Sequence, residues 1–183
     1  AVSGECADEI FGGYPWYHDK NILYNESFPW SQSTSLRAGL LQDNVIKKIN
    51  PIEFVQHYYE ETIADTLHND FDTSLNRRMR EMFMLNIKWF MQTLLDRKDR
   101  MSMATGLEVR VPFCDHVLTE YAYNIPWEIK SIDGREKGLL RRCYKDILPD
   151  EIVSRKKSPY PKTFNPNYLQ MTKKLLQNIP ELK

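Results

Sequence analysis

The stretch from Ser74 to Ala104 constrains the fold most, because its apolar residues are not confined to one face. Between Met82 and Leu95 a helix would be apolar on nearly all sides. The residues concerned are Met82, Phe83, Met84, Leu85, Ile87, Trp89, Phe90, Met91, Leu94 and Leu95. A helix that is hydrophobic all round is buried in the middle of its domain. Gly106 is a natural end for it, so the sequence predicts one long central helix.

Most of the remaining chain also has helical spacing, and glycine is scarce with seven residues, so we predict a mainly α fold. Asn50-Pro51 indicates the start of a helix that runs from Ile52 to about His68. Asp72 or Thr73 is expected to cap the central helix. The other predicted helices are Asp8 to Phe11, His116 to Asn124 capped by Asp115, Glu136 to Ile147, a short helix restarting at Pro149-Asp150, and Asn167 to Gln177.

The sequence also predicts which side chains of one helix face inward and where two loops lie. The helix from Glu136 is amphipathic, and its inward residues are expected to be Leu139, Leu140, Cys143, Tyr144 and Ile147. Irregular loops are expected from Tyr24 to Ser35 and over SPYPKTFNP, which contains three prolines.

The segment LEVRVPF, residues 107–113, alternates strictly between apolar and charged residues. A period of two predicts an extended segment, and Pro112 argues against the interior of a sheet. Glu108 and Arg110 share one side, which favours an internal ion pair at the floor of a site over a direct catalytic role. Asp99 and Arg100 are expected to be a polar scaffold near the same site.

Charge and composition exclude several classes of protein. Lys plus Arg and Asp plus Glu both number 25, which argues against a nucleic-acid binder that uses a global positive charge. The three cysteines have no CxxC spacing and indicate a reducing cytoplasm. The four histidines are scattered, which argues against zinc. No apolar run has the roughly 20 residues of a membrane span, and no signal peptide is recognisable.

The stretch SGECADEIFGGY, residues 3–14, places Glu5, Asp8 and Glu9 close together. Ser3-Gly4 before a helix start favours an anion or nucleotide, because free N–H groups attract phosphate and Gly4 allows close approach. Carboxylates beside such phosphates would act through Mg²⁺ or accept a proton. The simpler alternative is that they only complement the helix dipole. The residues by themselves favour this alternative.

Three stretches together resemble the signatures of one family, the synthetase domain of glutamine-hydrolysing, B-type asparagine synthetases. SGECADEIFGGY resembles the family's SGEGADELFGGY, and DRMSMATGLEVRVPFCDH resembles D-R-x-S-M-A-x-G-L-E-x-R-V-P-F-L-D. REKGLLRRCYKDILPDEIVSRKKSPYP is similar to a K-x-x-L-R helix followed by L-P-x-x-I and an R-x-K-x turn. The order and spacing match from residue 3 to residue 161, whereas residues 18–70 carry no matching motif.

The resemblance implies the helical C-terminal portion of an α/β synthetase domain of the ATP-pyrophosphatase, adenine-nucleotide α-hydrolase-like class. We expect residues 1–183 to be a single domain fragment of this kind, with Ala1-Val2 as the stub of a strand and the nucleotide-binding sheet largely missing. The family's S-G-G-x-D-S loop and the cysteine nucleophile of its N-terminal glutaminase domain are not found in the sequence. We therefore expect these residues alone to bind ATP poorly, to make no asparagine, and to expose an apolar face that favours self-association.

The resemblance also implies a reaction. ATP with Mg²⁺ adenylates the side-chain carboxylate of aspartate and releases pyrophosphate, and ammonia derived from glutamine then displaces AMP. The implied partners are aspartate, ATP, ammonia, the N-terminal glutaminase domain and the nucleotide-binding sheet of the same chain. We expect a cytoplasmic protein that binds neither nucleic acid nor a membrane. A homodimer is one possible assembly.

The family's functional residues are carried over to matching positions of this sequence. Glu5 matches the base that deprotonates the attacking ammonium, and Asp8 matches the aspartate on the Mg–pyrophosphate side. Lys137 and Lys157 match the lysines that hold pyrophosphate. Gly4 would contact the nucleotide through its backbone, and Ser3 would shape the same turn.

Cys6 stands where the family has Gly. Because a side chain disfavours positive φ, this departure leaves the local turn geometry open.

Two other functions are compatible with parts of the pattern. One is another amide-forming adenylating enzyme, similar to β-lactam synthetase or a peptide-cyclising enzyme, although Glu5 in an SGExADE context favours asparagine. The other is a non-catalytic helical interaction domain. Catalytic decay would strike Glu5, Asp8, Lys137 or Lys157 first, and all four are present.

Overall fold

The computed structural model describes residues 1–157 and 165–180, and its regular structure is helical. In chain order the α-helices of these residues are α1 (Ala7–Phe11), α2 (Lys20–Leu23), α3 (Thr34–Ala38), α4 (Asp43–Ile49), α5 (Pro51–Ala64), α6 (Ser74–Leu85), α7 (Gln92–Met103), α8 (His116–Tyr123), α9 (Trp127–Lys130), α10 (Gly138–Cys143), α11 (Asp150–Val153) and α12 (Pro166–Gln177). Short 3₁₀ turns occur at Pro15–Tyr17, Pro112–Cys114 and Ile132–Gly134. The predicted mainly α fold is confirmed.

The central helix is formed by α6 and α7, which a π-helical turn at Asn86–Met91 joins end to end. Met82, Leu85 and Asn86 are completely buried, as expected for the middle of this segment. In the π-helical turn the Asn86 side-chain amide donates a hydrogen bond of 2.7 Å to the Met82 carbonyl. The periodicity did not predict the extra residue per turn. A π-helical turn inside a helix frequently accompanies a functional site.

Two groups of apolar side chains form the interior. The larger packs around α6 and consists of Tyr17, Leu23, Phe28, Tyr59, Met79, Met82, Phe83, Leu85 and Trp127. The smaller consists of Cys6, Ile10, Phe11, Met91 and Ala122, with Phe113, Leu139 and Leu140 packed against it. The smaller group holds α1 against the π-helical turn, α8 and α10. It therefore fixes the position of the acidic turn that precedes α1.

The segment predicted to be extended forms one contact of the β type. Val2 and Arg110 make an isolated parallel bridge, in which the Ser3 N–H donates to the Arg110 carbonyl at 2.9 Å and the Arg110 N–H donates to the Ala1 carbonyl at 2.8 Å. The described residues contain no longer strand, because Pro112 lacks an N–H and opens a 3₁₀ turn at once. Val2 is therefore held in an extended conformation beside Arg110.

The helix predicted from Glu136 to Ile147 is wrong at both ends. Lys137 has a left-handed backbone with φ of 52°, so the helix begins only at Gly138. It ends at Cys143, and the expected inward positions Cys143 and Tyr144 are exposed, as is Ile147. Amphipathic spacing was correct only for the two leucines that pack on α1.

Other boundaries agree with the sequence more closely. The Asp115 carboxylate accepts from the Leu118 N–H at 3.1 Å, and the Thr73 hydroxyl accepts from the Asn76 N–H at 3.2 Å, so both predicted caps are confirmed. Helix α5 ends at Ala64, four residues short of His68, and Leu67 is exposed.

The loop predicted over SPYPKTFNP lies for the most part outside the described residues. None of the helices in the described part of the chain has the length and apolar content that a bilayer span requires.

Candidate active site

The acidic turn begins directly after the β bridge and leads into α1. Ser3 is tied to Arg110 through its N–H, and its hydroxyl accepts a long hydrogen bond of 3.4 Å from the Glu5 N–H. Cys6 caps α1 with a left-handed backbone at φ of 74°. For a residue with a side chain this conformation costs about 1 kcal/mol. The turn that suits glycine is therefore present with cysteine in its place, which settles the geometry that the sequence left open.

Asp8 lies between the two lysines that the sequence singled out. Its Oδ1 is 2.7 Å from the Nζ of Lys137, and its Oδ2 is 2.7 Å from the Nζ of Lys157. Burial raises the pKa of the Asp8 carboxyl, but the bonds and charges of the two lysines outweigh burial and hold that pKa below its ordinary value. Asp8 is therefore an ionised carboxylate that fixes two cations at one place.

The two lysines reach Asp8 from different segments. Lys137 immediately precedes α10 and has a left-handed backbone conformation, whereas Lys157 follows α11. The Nζ of Lys157 also lies 4.1 Å from the centre of the Tyr14 ring, an arrangement that favours a cation. These contacts join three stretches of the chain that are far apart in the sequence.

The pair Gly12-Gly13 allows this arrangement sterically. A Cβ at Gly13 would lie 1.9 Å from Oδ1 of Asp8, and a Cβ at Gly12 would lie 2.5 Å from the Trp127 ring. Gly12 also has φ of 69°. Neither position accepts a side chain without displacing its neighbours, so the glycines are needed for close packing as well as for the turn.

Glu5 faces a different pair of cations, both from α7. Its Oε1 lies 3.3 Å from a guanidinium nitrogen of Arg97, and its Oε2 lies 3.6 Å from Nζ of Lys98. Neither Arg97 nor Lys98 is predicted as a site residue from the sequence. Their signal was the basic block DRKDR at the end of the apolar stretch, but nothing in one sequence indicates which of these charges turns toward Glu5.

The sequence indicates Glu9 as one of three neighbouring carboxylates but predicts no catalytic or binding role for it. The residue is almost completely buried, at 1% exposure. The Tyr14 hydroxyl donates a short hydrogen bond to Oε1 of Glu9, and the Tyr17 hydroxyl donates to the Glu9 carbonyl at 3.1 Å. Burial raises the pKa of the Glu9 carboxyl, although the Tyr14 bond opposes the rise. Glu9 therefore anchors Tyr14 beneath Lys157.

A cavity of about 1410 Å³ opens beside these groups. Its lining includes the predicted site residues Ser3, Gly4, Glu5, Asp8 and Lys157. Lys137 does not line the cavity and reaches it through Asp8. The volume exceeds the roughly 300–1,000 Å³ of ordinary ligand pockets, so it is large enough for a nucleotide together with a small acid.

The four residues expected as scaffold are not brought to the cavity. Arg100 pairs with Asp96 on the exposed side of α7 at 2.7 Å, and Asp99 is exposed. Glu108 and Arg110 do form the expected ion pair, at 2.8 Å, but their side chains are 65% and 76% exposed. The pair is therefore on the surface and not at the floor of the site. Arg110 supports the acidic turn only through its main chain.

The fit to Mg²⁺ depends on Asp8. In the part of the chain that the structure describes, no three acidic, histidine or cysteine side chains converge as a metal site. Both oxygens of Asp8 face lysine ammonium groups. Nucleotide enzymes bind Mg²⁺ by one or two carboxylates together with phosphate oxygens. Asp8 would therefore offer Mg²⁺ at most a single carboxylate beside a bound phosphate chain, and both of its oxygens already contact ammonium groups.

Comparisons with known proteins identify the family of this chain. A family model described as asparagine synthase matches residues 1–181. The chain is 54% identical to glutamine-hydrolysing asparagine synthetase 3 of Bacillus subtilis over all 183 of its residues, which cover 30% of that protein. It is 28% identical to asparagine synthetase 1 of the same organism, over 88% of the chain and 30% of the relative. A protein named amidase chry2 from Gibberella zeae is 26% identical over 82% of the chain and 20% of its own length.

The chain spans less than a third of the length of these relatives. The match of the family model over nearly the whole chain confirms the resemblance drawn from the three signatures. The chain belongs to the asparagine synthase family.

Proposed function

We propose that this chain is part of an enzyme that makes asparagine. In the proposed reaction ATP adenylates the aspartate side-chain carboxylate with release of pyrophosphate, and ammonia from glutamine displaces AMP. The observation that carries the proposal is the Lys137–Asp8–Lys157 arrangement, with both ion pairs at 2.7 Å, beside a cavity that Asp8, Lys157 and Glu5 line.

The two lysines are proposed to hold the leaving pyrophosphate. An ammonium group has three donors, so each lysine is able to bind an oxygen of Asp8 and a phosphate oxygen at the same time. Fixed positive charges that face the developing charge of a leaving group stabilise the transition state without reorganisation. Asp8 keeps the two cations in place before the substrate arrives. Mg²⁺, when bound, would supply further positive charge to the same phosphates.

Glu5 is proposed to accept the proton of the attacking ammonium. Its carboxylate lines the cavity, and general base catalysis by such a group contributes about 100- to 10,000-fold. Arg97 and Lys98 contact both of its oxygens and orient the carboxylate. Ser3 and Gly4, which line the same cavity, are proposed to contact the nucleotide.

The remaining parts of the enzyme are proposed to lie elsewhere in the same protein. Residues 1–183 would form the helical C-terminal part of the synthetase domain, next to a nucleotide-binding sheet and an N-terminal glutaminase domain. The sequence lacks the S-G-G-x-D-S loop, so these residues alone are proposed to be inactive. The protein is proposed to be cytoplasmic.

A second candidate is another enzyme that activates a carboxylate and forms an amide. The match to a protein named as an amidase shows that relatives of this chain carry names other than asparagine synthetase. The two candidates differ in which acid stimulates pyrophosphate release.

The test measures pyrophosphate release and asparagine formation by the full-length protein, with and without aspartate and ammonia. Glu5→Gln is compared with Glu26→Gln, which changes an exposed carboxylate on the loop before α3. We expect Glu5→Gln to keep aspartate-dependent pyrophosphate release and to lose asparagine formation by at least about 100-fold. Glu26→Gln should leave both unchanged. Pyrophosphate release that ignores aspartate would overturn the asparagine proposal, and normal asparagine formation in Glu5→Gln would overturn the role of Glu5.

A further inference from the structure

Two departures from the family signatures lie side by side in the structure. Cys6 stands where the first signature has Gly, and Cys114 stands where the second has Leu. Both are free thiols, Cys6 inside the smaller apolar cluster and Cys114 packed against it, and Cys114 contributes to the raised pKa of the Cys6 thiol. Two cysteines from distant motifs thus meet beside the candidate site.

The path of the main chain brings Cys6 and Cys114 to the same place. Ser3 and Arg110 are joined by a hydrogen bond of 2.9 Å in the parallel bridge, so both segments leave the bridge in the same direction. Cys6 follows Ser3 by three residues, and Cys114 follows Arg110 by four. The turn at Cys6 and the 3₁₀ turn Pro112–Cys114 then end both segments at the same apolar cluster.

The backbone at position 6 does not itself require cysteine. Its φ of 74° is a conformation that glycine adopts freely, whereas a residue with a side chain loses about 1 kcal/mol there. Cysteine is therefore present despite a conformational cost, and the feature that it adds is the thiol against Cys114.

We propose that Cys6 and Cys114 are a redox modification site, which a low-molecular-weight disulfide converts reversibly to an intramolecular disulfide. The Cys114 thiolate attacks one sulfur of the small disulfide, forms a mixed disulfide and releases one small thiol. The Cys6 sulfur then attacks the Cys114 sulfur and releases the second small thiol. Two protein thiols become one S–S bond, and the small disulfide takes up the two electrons and the two protons.

The surroundings assign these two roles. Cys114 is half-buried and is the more exposed of the two. Cys6 is buried, and burial, then Cys114 and the carboxylates of Glu9 and Glu5, raise the pKa of its thiol. The more exposed thiol meets the oxidant first. Cys6 then resolves the mixed disulfide once it has lost its proton, because the thiolate is the attacking form. In reducing compartments, disulfides of this kind are usually transient or redox-sensing.

The bond would tie the turn that carries Glu5 and Asp8 covalently to the segment after Arg110. The effect of this disulfide on catalysis rests on the proposed function, whereas the formation of the disulfide does not. The readout is therefore the mass and the peptide map of the protein, so that absence of synthetase activity would leave this inference intact.

The experiment equilibrates the full-length protein with mixtures of reduced and oxidised glutathione, followed by acid quenching, alkylation and a non-reducing peptide map. We expect a species lighter by about 2 Da that contains a Cys6–Cys114 linked peptide and reverts in reduced glutathione. Cys143→Ser, which removes the exposed cysteine of α10, should keep the linkage. Cys6→Ser and Cys114→Ser should each abolish it, and either one suffices if the other fails to fold.

Three results would overturn the proposal. The first is that both thiols stay free throughout the glutathione series. The second is that Cys114 stops at the mixed disulfide with glutathione. The third is that the linked peptides contain Cys143 in place of Cys6 or Cys114.

Discussion

Replacing Asp8 by Asn should destabilise the chain by far more than removing an ordinary surface ion pair. The carboxylate separates two ammonium groups that each lie 2.7 Å from one of its oxygens. Bound to one carboxylate, these ammonium groups are at most about 8 Å apart, and at that distance two like charges repel by about 2 kcal/mol at an effective dielectric constant of about 20. Loss of the two attractions adds to this repulsion, because all three side chains are at least half-buried, with exposures of 22% to 35%. We expect a total loss of about 2–4 kcal/mol.

The assay is thermal unfolding of the 183-residue chain, in which each kcal/mol shifts Tm by about 2–4 °C for a chain of this size. Asp96→Asn is the matched control, because its pair with Arg100 is also 2.7 Å long but is 56% and 77% exposed. Such an exposed helical pair contributes about 0.3–0.5 kcal/mol.

The pH dependence has a definite sign. Because the folded-state pKa of Asp8 lies below 3.8, its contribution is complete above that pH and is lost as the pH falls through the folded-state value. Equal Tm losses in Asp8→Asn and Asp96→Asn would refute the reasoning.

Three further predictions concern Gly13, Lys130 and the exposed apolar side chains. Gly13→Ala places a Cβ 1.9 Å from Oδ1 of Asp8, so it should lower Tm and, in the full-length protein, pyrophosphate release. An unchanged Tm and rate would contradict the close packing. Lys130 is completely buried above the Phe83 ring, and burial, then Arg80, lower its pKa from 10.5 to about 7. The unfolded chain therefore binds more protons between pH 7 and 10.5, so stability from this residue rises with pH over that window. Lys130→Met should remove the rise, and an identical pH profile in the variant would count against it. Residues 1–183 alone should self-associate, because apolar side chains such as Val2, at 78% exposure, are uncovered, whereas light scattering from a monodisperse monomer would show otherwise.

The elements that the sequence predicted well are those with local causes. The central helix follows from a continuous apolar pattern, and the caps at Thr73 and Asp115 follow from side chains that each bond the N–H three residues ahead. The same local reasoning failed for α10. There the left-handed Lys137 overrides an amphipathic pattern, and its ammonium group reaches Asp8.

The candidate site was only partly predictable because its geometry depends on distant residues. The signatures singled out Asp8 and both lysines, but only the fold brings Lys157 to Asp8 across 149 residues. Arg97 and Lys98 carry no local signal that distinguishes them from other charges on α7. The contact between Cys6 and Cys114 likewise depends on the bridge between Val2 and Arg110. Tertiary contacts of this kind have no period in the sequence.

The roles of the two lysines are the centre of the account, and one rate tests them most directly. We would measure aspartate-dependent pyrophosphate release by the full-length protein carrying Lys137→Met or Lys157→Met, with Lys145→Met as an exposed control. The account predicts a loss of at least about 100-fold in each of the first two variants at saturating aspartate, and no loss in the control. Wild-type rates in both lysine variants, with their folding intact, would contradict it.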